Sequence, residues 1–235
     1  MDRLHYLERR LHELGGSDDE TKVLFPCPME YLSNPTTPQG GGTVDFFMSF
    51  RSPYTYLALA RCKRLAEMWG ARFNVRYVLP MVMRGLPVPR VKGLYFSQDA
   101  AREARRIGIP FGRIADSVGK PVERGYSLIQ FARDNQREFE YCQSFMQAAW
   151  AEGVDAGSDD GMRFIVERAD LEWTQARPLI GNLDWQVEAE ANRELMFTLG
   201  HWGVPCIRVG DVAVWGQDRL WVIEDELRRL RKPIA

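Results

Sequence analysis

A serine followed by a proline, Ser52-Pro53, stands directly after the apolar run from Val44 to Phe50. Proline is accommodated at the first helical position because the N–H it lacks has no intrahelical partner there, and serine just before it is a favoured N-cap. The same placement sets a hydroxyl at the positive end of a helix dipole, where a neighbouring thiol is favoured in its ionised form. An ordinary cap and a thiolate-stabilising hydroxyl both account for Ser52, and spacing alone does not separate them. Thr55 stands where the second cysteine of a Cys-x-x-Cys pair would be, so dithiol–disulfide exchange through that motif is excluded.

Other candidates carry the same double reading. Val204-Pro205 is a strand start, or a place where main-chain groups face a cleft and pair with a peptide-like ligand. Asp218, in Gly216-Gln217-Asp218, complements the dipole of a closing helix, or takes an amino group while the N–H groups of that helix start bind a carboxylate. Lys92 is a solvated lysine or an anion-binding group. Cys206 reads as a small hydrophobe. His201 has no acid or nucleophile at a spacing that suggests a triad, and no Cys/His cluster has metal-ligand spacing, so no metal is implied.

The elements that must position these residues follow from apolar periodicity. Val44, Phe46, Met48 and Phe50 alternate with another apolar residue, Phe47, between them, as in a strand buried on both faces. Tyr54, Leu57, Ala58, Cys62, Leu65 and Trp69 recur at helical spacing until Gly70, and a second strand spans Phe73 to Leu79, giving a parallel βαβ unit. Pro80 to Val91 is irregular, and a helix follows from about Gln98 to Arg106. From about Val122 to Leu199 the pattern is almost wholly helical. Cys206–Val209 and Val212–Trp215, joined by Gly210-Asp211, read as a hairpin, and Gly216-Gln217-Asp218 opens the closing helix. This order predicts an α/β fold: a thioredoxin-like sheet with a helical insertion between its βαβ and ββα halves. The expected division is an N-terminal helix and linker (1–42), a thioredoxin-like domain (43–98 and 200–235) and a helical insertion (99–199). In the N-terminal helix Leu4, Leu7, Leu11 and Leu14 form a seam too short to stand alone, and Gly16 to Gly42 reads as linker.

The chain has 235 residues and a formal net charge of -1, which argues against a nucleic-acid surface or a basic membrane-binding patch. No apolar run is long enough to cross a bilayer, and Met1-Asp-Arg-Leu-His5 has no apolar h-region. The four cysteines are scattered, so a reducing cytoplasm is the expected setting.

Three local patterns in order carry a resemblance. The first is Ser52-Pro53-Tyr54-Thr55-Tyr56-Leu57 after Asp45-Phe46. The second is Lys92-Gly93-Leu94-Tyr95 with Asp99, Arg102 and Gly108-Ile109-Pro110. The third is Gly203-Val204-Pro205 with Trp215-Gly216-Gln217-Asp218-Arg219-Leu220. Together with Trp150-Ala-Glu-Gly153 they resemble the family of kappa-class glutathione transferases and 2-hydroxychromene-2-carboxylate isomerases, relatives of the disulfide oxidoreductase DsbA.

The resemblance covers about Thr43 to Leu230. It implies a homodimer, glutathione as cofactor, and a glutathione-dependent isomerase acting on an aromatic-derived or unsaturated organic acid. A kappa-like transferase, or a noncatalytic peptide-binding module of the same fold, is the alternative. Ser52 would face the glutathione sulfur, flanked by Phe50 and Pro53 in the binding set. The Val204 backbone, before a cis Pro205, would pair with the cysteinyl part. Gln217 and Asp218 would hold the γ-glutamyl end, with Lys92 a basic group in the same cleft. Ser49 and Cys206 depart from the family's usual Asp and Thr, and the segment between Pro80 and Lys92 is short.

Overall fold

The central strand, β1 (Thr43–Met48), is apolar on both faces because both faces are covered. Its side chains from Val44 to Met48, apart from Asp45, are fully buried. It pairs in parallel with β2 (Arg72–Tyr77) and antiparallel with β3 (Cys206–Val209), and β3 pairs antiparallel with β4 (Val212–Trp215). The resulting mixed sheet has the order β2-β1-β3-β4. The structure, a computed structural model, describes residues 4–14 and 41–230. Most of the expected linker, with Cys27, lies outside them.

The helices are α1 (Leu4–Glu13), α2 (Pro53–Met68), α3 (Arg90–Ile107), α4 (Lys120–Ser127), α5 (Ile129–Asp134), α6 (Glu138–Ala151), α7 (Asp159–Arg168), α8 (Trp173–Ala176), α9 (Trp185–Thr198) and α10 (Leu220–Leu230). Helices α4 to α9 lie between β2 and β3 in the chain, so the expected insertion between a βαβ half and a ββα half is present. Val44, Phe46 and Met48 join the main core with α2, α6 and α10, whereas Phe47 packs on the other face with Val78, Met196 and Cys206. Period-2 alternation thus divides β1 between two cores.

Three boundaries differ from the sequence reading. Helix α3 starts at Arg90, well before Gln98, because Pro89 precedes it and nothing downstream breaks it; the internal Gly93 costs only about 1 kcal/mol. The expected domain division at 98/99 therefore falls inside one continuous helix. Within Pro80 to Val91 a 3₁₀ turn forms at Met81–Arg84. Helix α10 begins at Leu220, so Gln217 and Asp218 stand in the turn before it and not in its first turn.

The leucines of α1 are exposed. Tyr6 contributes to its attachment: the hydroxyl donates to Glu103 on α3 at 2.7 Å and the ring lies 5.8 Å from the Arg102 guanidinium carbon.

Candidate active site

Ser52 caps α2 from an extended conformation, and its Oγ accepts from the Thr55 N–H at 3.2 Å. The cap that the sequence suggested is therefore made. The Ser52 hydroxyl also reaches the Val204 carbonyl at 3.4 Å, joining the βαβ half to the loop before β3. The Val204–Pro205 peptide is cis, as expected. The Val204 N–H makes no hydrogen bond to another described residue, while the Pro205 carbonyl accepts from Gly216 at 2.9 Å.

The turn ahead of Ser52 is fixed from the helical block. Ser117 Oγ and Trp150 Nε1 both donate to the Phe50 carbonyl, at 3.3 and 3.0 Å. The Phe50 ring stacks on Phe145 at 3.9 Å between centroids and packs beside Tyr126.

These elements enclose a cavity of about 570 Å³, within the range usual for small-molecule sites. Ser52, Pro53, Val204, Pro205 and Gln217 all line it, so five of the eight residues expected at the site share one wall. The other three stand elsewhere. Phe50 is fully buried in the core with its carbonyl already bonded, and presents nothing to the cavity. Lys92 Nζ lies over the Phe96 and Trp202 rings, at 5.5 and 5.9 Å from their centroids. The Asp218 carboxylate folds back over Gly216, within 2.6 Å of where a Cβ there would sit.

Gln217 is buried because it completes a charged network. Its Oε1 accepts from Arg61 at 2.7 Å and its Nε2 donates to Glu103 at 2.7 Å. Burial pushes the Arg61 guanidinium down to about 10, with Glu103 and Asp218 among the charges that oppose the shift. Glu103 is fully buried and also pairs with Arg106 at 2.8 Å. One helical turn earlier, the buried Asp99 accepts from the Tyr54 hydroxyl at 2.7 Å, and Tyr54 also lines the cavity. Two carboxylates at i, i+4 on α3 thus hold the cavity wall from behind, a spacing visible in the sequence as Asp99 and Glu103 but unremarkable until the partners are known.

Three arginines, Arg51, Arg84 and Arg219, line the cavity against one acid, Asp116, an arrangement that favours an anionic ligand. Arg51 forks onto Asp116 at 2.7 and 3.0 Å and holds that carboxyl below the usual range. Trp215 supplies a flat apolar surface, with Trp202 set edge-on to it at 4.7 Å between centroids. Cys206, two residues after Val204, is buried, and burial pushes its thiol up to about 12, which disfavours the reactive thiolate. Sequence reasoning passed over Arg51, Arg84 and Asp116, which sit in irregular segments where no periodicity marks a direction. Among the described residues no cluster of His, Cys, Asp and Glu could hold a metal, and no helix is long and apolar enough to cross a membrane.

Comparison with known proteins agrees with this architecture. The chain is 25% identical over 201 residues to the 2-hydroxychromene-2-carboxylate isomerase of Pseudomonas putida, covering 80% of this chain and 95% of the relative. It is likewise 25% identical to the enzyme of the same name from Sphingobium xenophagum, covering 79% and 97%. A solved 2-hydroxychromene-2-carboxylate isomerase superposes with a TM-score of 0.63 at 24% identity, covering 80% and 95%. The cytosolic disulfide reductase DsbM from Pseudomonas aeruginosa with GSH superposes with a TM-score of 0.58 at 18% identity, covering 80% and 96%. Residues 43–228 match the DSBA-like thioredoxin domain, and the chain belongs to that family.

Proposed function

We propose that this chain is a glutathione-dependent isomerase of an aromatic-derived or unsaturated organic acid, of the 2-hydroxychromene-2-carboxylate isomerase kind. The observation that carries the reading is the meeting of the Ser52 hydroxyl, at the N-terminus of α2, with the Val204 carbonyl beside cis Pro205, inside a cavity rich in arginine. The relatives' shared name supports the reaction type, and DsbM, of the same fold, is solved with GSH.

The residues fit the tripeptide. The Val204 N–H makes no bond to another described residue and suits a peptide carbonyl. The excess of arginine in the wall suits carboxylates. When bound, glutathione supplies an ionisable thiol able to add reversibly to an electrophilic carbon.

The chain's own part is orientation and charge. At 3.4 Å the Ser52–Val204 bond is long for O–H···O, so the hydroxyl proton is readily turned towards a thiolate. The N-terminus of α2 adds its partial positive charge at the same point. Each unit by which the thiol pKa falls corresponds to about 1.4 kcal/mol of preference for the thiolate. The apolar rings of Tyr54, Trp150 and Trp215 limit water around that charge. Substrate enters as an anion, held by the arginine-rich wall.

The test compares the wild type with Ser52→Ala. Absorbance titration of bound glutathione should place its thiol pKa below the free value of about 8.5, and the substitution should raise it while lowering kcat about 10- to 100-fold. Titration curves that coincide would remove Ser52 from the mechanism, and full turnover without added glutathione would remove the cofactor.

A further inference from the structure

Of the three arginines in the cavity wall, two have no buried donor left unmet. Arg51 is forked onto Asp116, and Arg219 is exposed and donates to the Trp215 carbonyl at 2.8 Å. Arg84 differs. Its Nη2 donates to the Trp202 carbonyl at 3.1 Å, but its Nε and Nη1 are buried and meet no acceptor among the described residues. No carboxylate of a described residue pairs with it. Burial lowers its pKa and the like charge of Arg193 adds to the shift, with Glu190 among the groups that oppose it, so an incoming anion would favour the cation further.

Its position is set by the sheet. Arg84 ends the 3₁₀ turn that follows β2, whereas Gln217 follows β4, and these are the two edge strands of the order β2-β1-β3-β4. Three strand spacings separate the edges, about 14 Å. A tripeptide running from Val204 to Gln217 occupies the β3–β4 side, and Arg84 stands across the cavity from it. Arg84 is nonetheless close to the reacting region. It grips the carbonyl of Trp202, and Ser52 grips that of Val204, two residues along one chain segment and so no more than about 7 Å apart. Beside it stand the Trp202–Trp215 pair, an apolar surface for a flat ring.

We infer that Arg84 binds the carboxylate of the organic acid, with the Nε/Nη1 edge of its guanidinium as a two-pronged donor and the acid's ring against Trp215. Arg84 forms part of the cavity wall; its Nε and Nη1 are buried there, so binding requires rotation of its terminal torsions to bring that edge to the ligand. A guanidinium fork suits a planar carboxylate better than a lysine point charge does. The inference deepens the isomerase reading and rests on it only in taking a flat organic acid as the ligand; glutathione also carries carboxylates, so the two sources must be told apart.

Calorimetric titration of chromone-2-carboxylate and of its methyl ester, both without glutathione, decides the matter. Wild type should bind the acid at least about 10-fold more tightly than the ester. Arg84→Gln should bring that ratio close to one, and Arg84→Lys should restore only part of it. Glutathione titrated separately should bind wild type and Arg84→Gln alike to within about twofold. The inference is overturned if wild type fails to bind the acid or does not prefer it to the ester. It is equally overturned if Arg84→Gln keeps the preference, or weakens glutathione and spares the acid. Circular dichroism checks the fold of each variant; should Arg84→Gln not fold, the wild-type ratio and Arg84→Lys decide. Absence of glutathione binding to the wild type would defeat the thiolate mechanism while leaving the acid-to-ester ratio to stand or fall alone.

Discussion

The Tyr6 hydroxyl lies 2.7 Å from Glu103, and the other oxygen of that carboxylate lies 2.7 Å from the amide of Gln217 in the cavity wall. The N-terminal helix, which falls outside the matched domain, thus reaches the back of the site through a buried acid. Tyr6→Phe removes one donor from a charged acceptor and should cost about 1–2 kcal/mol in urea unfolding. Burial, with Glu103 reinforcing it, pushes the Tyr6 hydroxyl up to about 12 from an ordinary 10.0. The folded state holds this proton more tightly, so the contribution is full below pH 10 and is lost as pH rises from 10 to about 12. The stability difference between wild type and Tyr6→Phe should close over that interval; a constant difference would exclude the bond.

Gly203 lies against the indole of Trp215. A Cβ added there would fall 2.7 Å from Cζ2 and 2.9 Å from Cε2 of a ring that lines the cavity. Gly203→Ala should therefore displace Trp215, costing about 1–3 kcal/mol, and shift tryptophan emission. Binding of aromatic acids should weaken more than binding of glutathione, as read by parallel calorimetry. Equal losses for both ligands would mean that the ring is not the organic acid's surface.

Cys62, Cys142 and Cys206 are buried as free thiols, and burial pushes Cys62 and Cys206 up to about 12. Maleimide at neutral pH should leave all three unmodified in the native protein and label them after denaturation, as read by peptide mass spectrometry. Native labelling of Cys206 would instead point to an accessible thiol beside Pro205.

The Arg51–Asp116 pair sits at the cavity rim, with the acid more than half exposed. Such a pair contributes less than about 1 kcal/mol, so Asp116→Asn should barely move the urea midpoint at pH 7. Arg51 depresses the Asp116 carboxyl, so any contribution is present above about pH 4 and fades as pH falls below it. Ligand binding should respond more than stability does, because the substitution releases a cation into the cavity wall. Calorimetry at two salt concentrations should show a stronger salt dependence of organic-acid binding in Asp116→Asn than in wild type.

Much of this architecture is legible in the sequence where local physics decides it. Val44 to Phe50 is apolar on both faces and becomes the central strand; Ser52-Pro53 dictates a helix start; Gly210-Asp211 joins two β-rich runs into a hairpin. Local signals fail where a partner far along the chain decides. Gln217 reads as a helix-start residue, yet its amide is claimed by Glu103 on α3 and by Arg61 on α2, and the helix begins only at Leu220. Phe50 stands two residues before Ser52, but in the turn that leaves β1 its ring packs into the core against Phe145. Lys92 is placed by a helix that starts at Arg90, earlier than the prolines upstream suggested. Arg84 gave no sign at all, since an arginine after Met-Val-Met has nothing local to say which way it points.

The two donors that the helical block places on the Phe50 carbonyl, from Ser117 and Trp150, make the inserted helices part of the reaction centre's frame. A shortened protein lacking residues 99–199 would lose both restraints on the bend that presents the serine, along with the ring stack beneath it. The block is thus no independent cassette in this structure: it holds the bend that aims a hydroxyl some hundred residues away in the chain.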